Sequence, residues 1–196
     1  MDIANATRMK IVVGVSCGEQ IKVDTVRSLF GVKEHTPYDV KFVIQQGCWL
    51  HENRNVLSRY AIAQQASHIL FVDSDMCFPD ETIVKLLAHD KEIVGANYNL
   101  RRLPQYSVIK SGDEDNIVSL VSVPENLFEC FSVGGGLVLV KTDVFGRLSQ
   151  PWWYHDQYQG QLMGEDVYFC RNAHRNGIKV WCDGSLKILH IGDYAY

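Results

Sequence analysis

Two carboxylates stand two residues apart in Phe71-Val72-Asp73-Ser74-Asp75-Met76, directly after a compact apolar run. A buried strand that ends this way carries hard oxygen ligands to the edge of a sheet. Mn2+ or Mg2+ suits such a site, because both accept carboxylate oxygen and complete their shells with water and substrate phosphate. The same residues also fit a capping turn ahead of Pro79. Gly164-Glu165-Asp166 sets adjacent acids at the start of a helical pattern. The helix dipole alone favours carboxylates there, and an acid facing a cleft could serve as a general base. Leu189-His190-Ile191-Gly192 ends a β-like run with an imidazole. That ring is either a satisfied core histidine or one nitrogen ligand for a cation otherwise held by oxygen.

Weaker signals surround these three. Arg54, between Asn53 and Asn55, opens a helical pattern, where an anion would gain from guanidinium and helix dipole together; a solvated surface arginine is the plain alternative. Gly134-Gly135-Gly136 permits close backbone approach by a ligand, or a bulge. Trp152, Trp153 and Tyr154 could stack on a sugar or base, or lie buried under a sheet. Gly14-Val15-Ser16-Cys17-Gly18 fits the spacing of a nucleophile elbow, with Asp166 and His190 following in hydrolase order. Yet Ser16 follows the first strand, with no earlier loop to build an oxyanion hole. The turn also fails the dinucleotide pattern, because Ser16 stands where the second glycine belongs.

The elements that must position these residues alternate between strand and helix. The pattern predicts strands at Lys10–Val15, Asp39–Ile44, Ile69–Val72 and Glu92–Ala96. Helices are predicted at Val23–Phe30, from an Asn53 cap to about Ser67, and from Pro79 with Asp80 and Glu81 in its first turn. In the second half, Val118–Val123, Leu127–Val133 and Leu137–Lys141 are closely spaced strands suggesting antiparallel pairing. A helix at Glu165–Asn176 closes on Gly177, and β-like pieces follow at Lys179–Cys182 and Leu186–Ile191. The expected fold is α/β, with a Rossmann-like parallel front half and a mixed sheet behind it, in one domain over residues 1–196. Ligands would then bind beyond the carboxyl ends of the front strands.

Composition sets the bounds. With 46% hydrophobic and 21% charged residues over 196 positions, the chain has enough apolar material for one core and is neither disordered nor fibrous. A formal charge of −4 disfavours polyanions on average, although a local basic cluster could still bind phosphate. Arg101 with Arg102, and Arg171 with His174 and Arg175, could form such clusters or be solvated faces. The six cysteines are spread singly and read as reduced core thiols. No run is long enough to span a membrane, and Met1–Lys10 lacks the apolar segment of a signal peptide. The expected setting is cytoplasmic, in a microbe or a virus-infected host.

Taken in order, these motifs resemble the catalytic domain of GT-A-fold, metal-dependent glycosyltransferases. The resemblance runs from Ile11–Gly18 through His51-Glu52-Asn53-Arg54-Asn55, Asp73-Ser74-Asp75 and Gly134–Val140 to Gly164-Glu165-Asp166 and His190, covering residues 10–193. It implies a UDP-sugar donor and Mn2+ or Mg2+ held by Asp75 and His190, with Asp73 on the ribose or on the metal. Ser16, Cys17, Arg54, Ser74, Gly135 and Gly136 would line the donor site, with Glu165 on sugar or acceptor hydroxyls. Asp166 would be the general base of an inverting transfer to a glycan or protein acceptor, or to a modified nucleic acid. A non-catalytic module that binds sugar nucleotides through the same metal site is the alternative, and a Ser16 hydrolase the third.

Overall fold

The computed structural model describes residues 9–158 and 160–192. The expectation of no signal segment falls mainly on residues 1–8, outside that range. The elements are β1 (Lys10–Cys17), α1 (Val23–His35), β2 (Asp39–Gln46), α2 (Leu50–Ala63), β3 (His68–Asp73), β4 (Met76–Cys77) and α3 (Thr82–Ala88). They continue with β5 (Ile93–Ala96), β6 (Lys110–Gly112), β7 (Ile117–Ser119), β8 (Leu127–Cys130), β9 (Leu137–Lys141) and α4 (Val144–Arg147). The last are β10 (Asp156–Tyr158), β11 (Gln161–Met163), α5 (Glu165–Arg175), β12 (Val180–Asp183) and β13 (Leu189–His190).

Seven strands form one mixed sheet in the order β2-β1-β3-β9-β5-β12-β8. The front three are mutually parallel, as their alternation with helices requires. β9 then inserts antiparallel between β3 and β5. β12 runs parallel to β5, and β8 closes the edge antiparallel to β12. Strand residues alternate between two cores, as a period of two dictates. Ile11, Val13, Val15, Leu70, Val72, Leu137 and Leu139 pack toward α1 and α3. Val12, Ile69, Phe71, Val138 and Val140 pack toward α2, α4 and α5. Helices therefore cover both faces, and the ends of the strands are left for ligands.

Four local expectations are corrected. First, α2 starts at Leu50, so Asn53 is no cap but an internal residue whose amide donates to the carbonyls of Gly47 at 3.1 Å and Cys17 at 3.5 Å. Second, residues 79–81 form a turn, because both the N–H and the hydroxyl of Thr82 bond to the Pro79 carbonyl. Asp80 and Glu81 thus precede α3. Third, the three second-half strands are antiparallel, but to other partners. β9 pairs with β3 and β5, β8 with β12, and the run from residue 118 is reduced to β7 against β6. Beyond β8 the N–H groups of Phe131 and Ser132 turn to the carbonyl of Lys110 instead. Fourth, Cys48 is exposed and Cys77 half-buried, so not every thiol belongs to the core; all six are free. Gly177 takes the left-handed conformation (φ 72°) after α5, as expected.

Candidate functional site

The site lies where β1 and β3 end. Their register sets Ser16 beside Asp73, and the chain then turns through Ser74 and Asp75 into β4. The short antiparallel pairing of β4 with β13 aligns His190 with Met76, and the Ile191 N–H donates to the Asp75 carbonyl at 2.7 Å. That ladder brings two residues remote in sequence together, with His190 Nε2 3.3 Å from Asp75 Oδ1. The other ring nitrogen, Nδ1, lies 3.0 Å from the Asn99 carbonyl. A carbonyl only accepts, so Nδ1 carries a proton; Nε2 can donate to the Asp75 carboxylate when it is also protonated, and offers its lone pair to a metal ion only when it is not. Asp75 Oδ2 pairs with Arg101 at 2.9 Å. Burial tends to raise the Asp75 carboxyl, but His190 and then Arg101 outweigh it and hold it below its ordinary value.

Asp73 has a different neighbourhood. Arg54 is only 1% exposed and bridges two acids, donating Nη2 to Asp73 Oδ1 at 2.8 Å and Nη1 to Glu165 Oε1. Burial opposes the guanidinium charge, yet Asp73 and Glu165 more than offset it and raise its affinity for the proton. The Trp153 ring lies beneath, 5.4 Å from the guanidinium, and stacks in turn on Phe169. Asn55 locks this wall, its Oδ1 accepting from the Trp152 and Trp153 N–H groups and its Nδ2 donating to the Trp153 carbonyl. The trio Asn53-Arg54-Asn55 is thus fully internal, not a solvated helix opening.

The three glycines make room for side chains of the protein itself. A Cβ on Gly135 would sit 2.5 Å from the Arg54 guanidinium carbon, and one on Gly136 would sit 2.6 Å from the Tyr98 hydroxyl. That hydroxyl accepts from the Gly136 N–H at 2.9 Å, and the Tyr98 ring meets His190 edge-on at 5.3 Å. Burial is the main reason the Tyr98 phenol is held well above its ordinary value. Trp152 and Trp153 are core residues, unavailable for stacking on a ligand, whereas Tyr154 is exposed.

Asp166 follows Glu165 in the first turn of α5 and lines a cleft of about 590 Å³ with Leu100, Lys110, Asn116, Leu162 and Val167. Burial first, then the neighbouring Glu165, pushes its carboxyl up to about 6. Burial likewise raises Asp73, where Arg54 pulls downward and Asp75 upward. Ser16 and Cys17 are buried at the end of β1. The carbonyl of Ser74 accepts from the Lys22 N–H and the Thr25 hydroxyl, fastening the start of α1 to the turn. The hydrolase alternative does not survive, because Ser16 Oγ has no hydrogen-bond partner among the described residues. Asp166 and His190 bond elsewhere, so no base touches the hydroxyl.

Three neighbours carried no sequence signal strong enough to place them here: Tyr98, Arg101 and His155, whose Nε2 lies 3.4 Å from Glu165 Oε2. Arg101 stood out only as half of an Arg-Arg pair.

Whether a divalent cation fits rests on the donor set. Among the described residues no group of three or more acidic, histidine or cysteine side chains converges on one point. Asp75 and His190 do converge, Asp73 Oδ1 is engaged by Arg54, and a cationic guanidinium already sits on Asp75. One oxygen and one nitrogen suit an ion that takes the remainder of its shell from water and phosphate, and the site attracts positive charge.

No family model and no curated protein matches this chain by sequence. Its likeness to solved structures is one of shape. A197 from STIV is 18% identical with a TM-score of 0.70, over 94% of this chain and 87% of that one. TarS 1-349 from S. aureus, solved in complex with UDP-GlcNAc, is 17% identical with a TM-score of 0.51. That match covers 89% of this chain but only 56% of the other. The seven-stranded mixed sheet with helices on both faces is a GT-A-like α/β fold. No helix among the described residues is long and apolar enough to cross a membrane.

Proposed function

We propose that the protein is a glycosyltransferase that moves a sugar from a nucleotide sugar, with a UDP-sugar as the first choice, to an acceptor hydroxyl. The observation that carries this reading is the meeting of Asp75 and His190 at the sheet edge. Asp166 lines a cleft bordered by Leu100 and feels the charge of Asp73, the other acid of the same turn. The GT-A-like fold and the UDP-GlcNAc bound by TarS support it.

In this reading Asp75 and His190 Nε2 would hold Mn2+ or Mg2+, which, when bound, would stabilise charge building on the leaving diphosphate. Asn99 keeps the His190 ring turned toward Asp75 by accepting the Nδ1 proton. Ser16, Cys17 and Ser74 border the nucleoside side, and Asp73 reaches the ribose with its position fixed by Arg54. Gly135 and Gly136 act indirectly, by leaving space for Arg54 and Tyr98. Asp166 accepts the proton of the acceptor hydroxyl as it attacks, and its raised pKa, about 6, leaves it both ionised and basic near neutrality. Glu165 is tied to Arg54 and orients Asp73 from behind.

A screen of nucleotide sugars for Mn2+-dependent turnover tests the proposal. One donor should be consumed by the wild type and not by Asp75→Ala or Asp166→Asn. Consumption that is equal in all three, or absent with every donor, would overturn it.

A further inference from the structure

The loop between β5 and β6 ties together parts of the site that are otherwise separate. It is closed on itself by the Asn99–Ser107 bridge and by the Leu100 N–H donating to the Tyr106 carbonyl at 2.8 Å. Three consecutive residues then reach three places. Asn99 accepts from His190, Leu100 lines the Asp166 cleft, and Arg101 pairs with Asp75. Arg101 is half exposed, while the Asp75 side chain it covers is 14% exposed. It therefore has an open solvent side to leave by. The contrast with Arg54 is physical: that guanidinium is enclosed by two acids, an indole and Gly135 and has nowhere to go.

We propose that Arg101 is a resident stand-in for the divalent cation, neutralising Asp75 when the site is empty and transferring to the donor diphosphate when a metal–nucleotide enters. This rests on the nucleotide-sugar reading of the site. A cation bound by Asp75 and His190 would lie within a few ångströms of the guanidinium now on Asp75, and like charges so close repel. The released side chain keeps its charge and its planar fork, which matches phosphate oxygens as well as carboxylate. The bound diphosphate is the nearest new anion, and the loop holding Arg101 also borders the cleft where the acceptor would sit. Arg101 is thus a donor-binding residue whose effects on metal and on nucleotide have opposite signs.

That opposition is the test. Mn2+ alone is titrated into the full chain and followed by water-proton relaxation; UDP is then titrated into Mn2+-saturated protein by calorimetry. Arg101→Gln should tighten Mn2+ and weaken UDP, each by about tenfold, the size of one charge-assisted contact. Arg101→Lys, which keeps the charge but not the fork, should fall between it and the wild type on both axes. Wild type that binds Mn2+ with Arg101→Gln unchanged, or shifted the same way for both ligands, overturns this proposal alone. Wild type that takes up no Mn2+ overturns it together with the metal-dependent reading of the site.

Discussion

Two arginines meet the two aspartates of one turn, in opposite ways. Arg54 reaches Asp73 from inside, with Glu165 on its other arm and Trp153 below. Arg101 reaches Asp75 from outside, from a loop, and is half exposed. The first aspartate is thereby part of the interior charge balance, and the second has a partner that is open to solvent. The Asp73-Ser74-Asp75 turn at a strand end thus joins a fixed half to one proposed above as replaceable. The buried ion pair holds the turn in place, since a charge shielded from water is costly to separate from its partner.

The largest expected effect breaks the fixed half. Arg54→Met would leave Asp73 and Glu165 buried without a counter-charge and should lower unfolding free energy by ~3–5 kcal/mol in denaturant titrations. A loss below about 1 kcal/mol would erase the distinction between the two arginines. Asp166→Asn should keep the fold and donor binding while cutting transfer by ~10²–10⁴-fold, read from steady-state rates. Gly135→Ala forces a methyl against the pinned Arg54 and should cost ~1–3 kcal/mol, whereas flexible surroundings would absorb it. Asp75→Asn, on the replaceable half, should change stability by no more than about 1 kcal/mol while abolishing Mn2+ binding.

The smallest effect is in pH. Asp166 is raised in the folded protein, so its contribution to stability is full below its ordinary value and is lost as pH rises through about 6. Asp75 is lowered, so its contribution is present above the ordinary value and is lost as pH falls through the folded one. Transfer should rise as Asp166 ionises, with its half-point near pH 6. Stability curves of the wild type and Asp166→Asn that superimpose from pH 4 to 7 would contradict the first statement.

Much of this was legible along the chain. The front strands follow from compact β-branched runs, and the end of β3 in Asp73-Ser74-Asp75 is visible as a break from apolar to acidic. What stayed hidden was long-range pairing. Arg54 reads as a helix-opening surface residue because nothing near it in sequence shows that Asp73 and Glu165 will close on it. Gly135 reads as ligand space because its neighbour across the gap comes from α2. The insertion of β9 between β3 and β5 depends on which strands meet, and local periodicity does not encode that. Asn53 reads as a cap for a simpler reason: cap-forming residue types are also good at bonding carbonyls from within a helix, and here the amide donates to Gly47 and Cys17.

The proposed function requires that Asp75 and His190 hold a cation that in turn holds a nucleoside diphosphate. Calorimetric titration of UDP with and without saturating Mn2+, in the wild type and in Asp75→Asn, tests it most directly. UDP binding should depend on Mn2+ in the wild type and show no such dependence in Asp75→Asn. UDP affinity unaffected by Mn2+ in the wild type would contradict it.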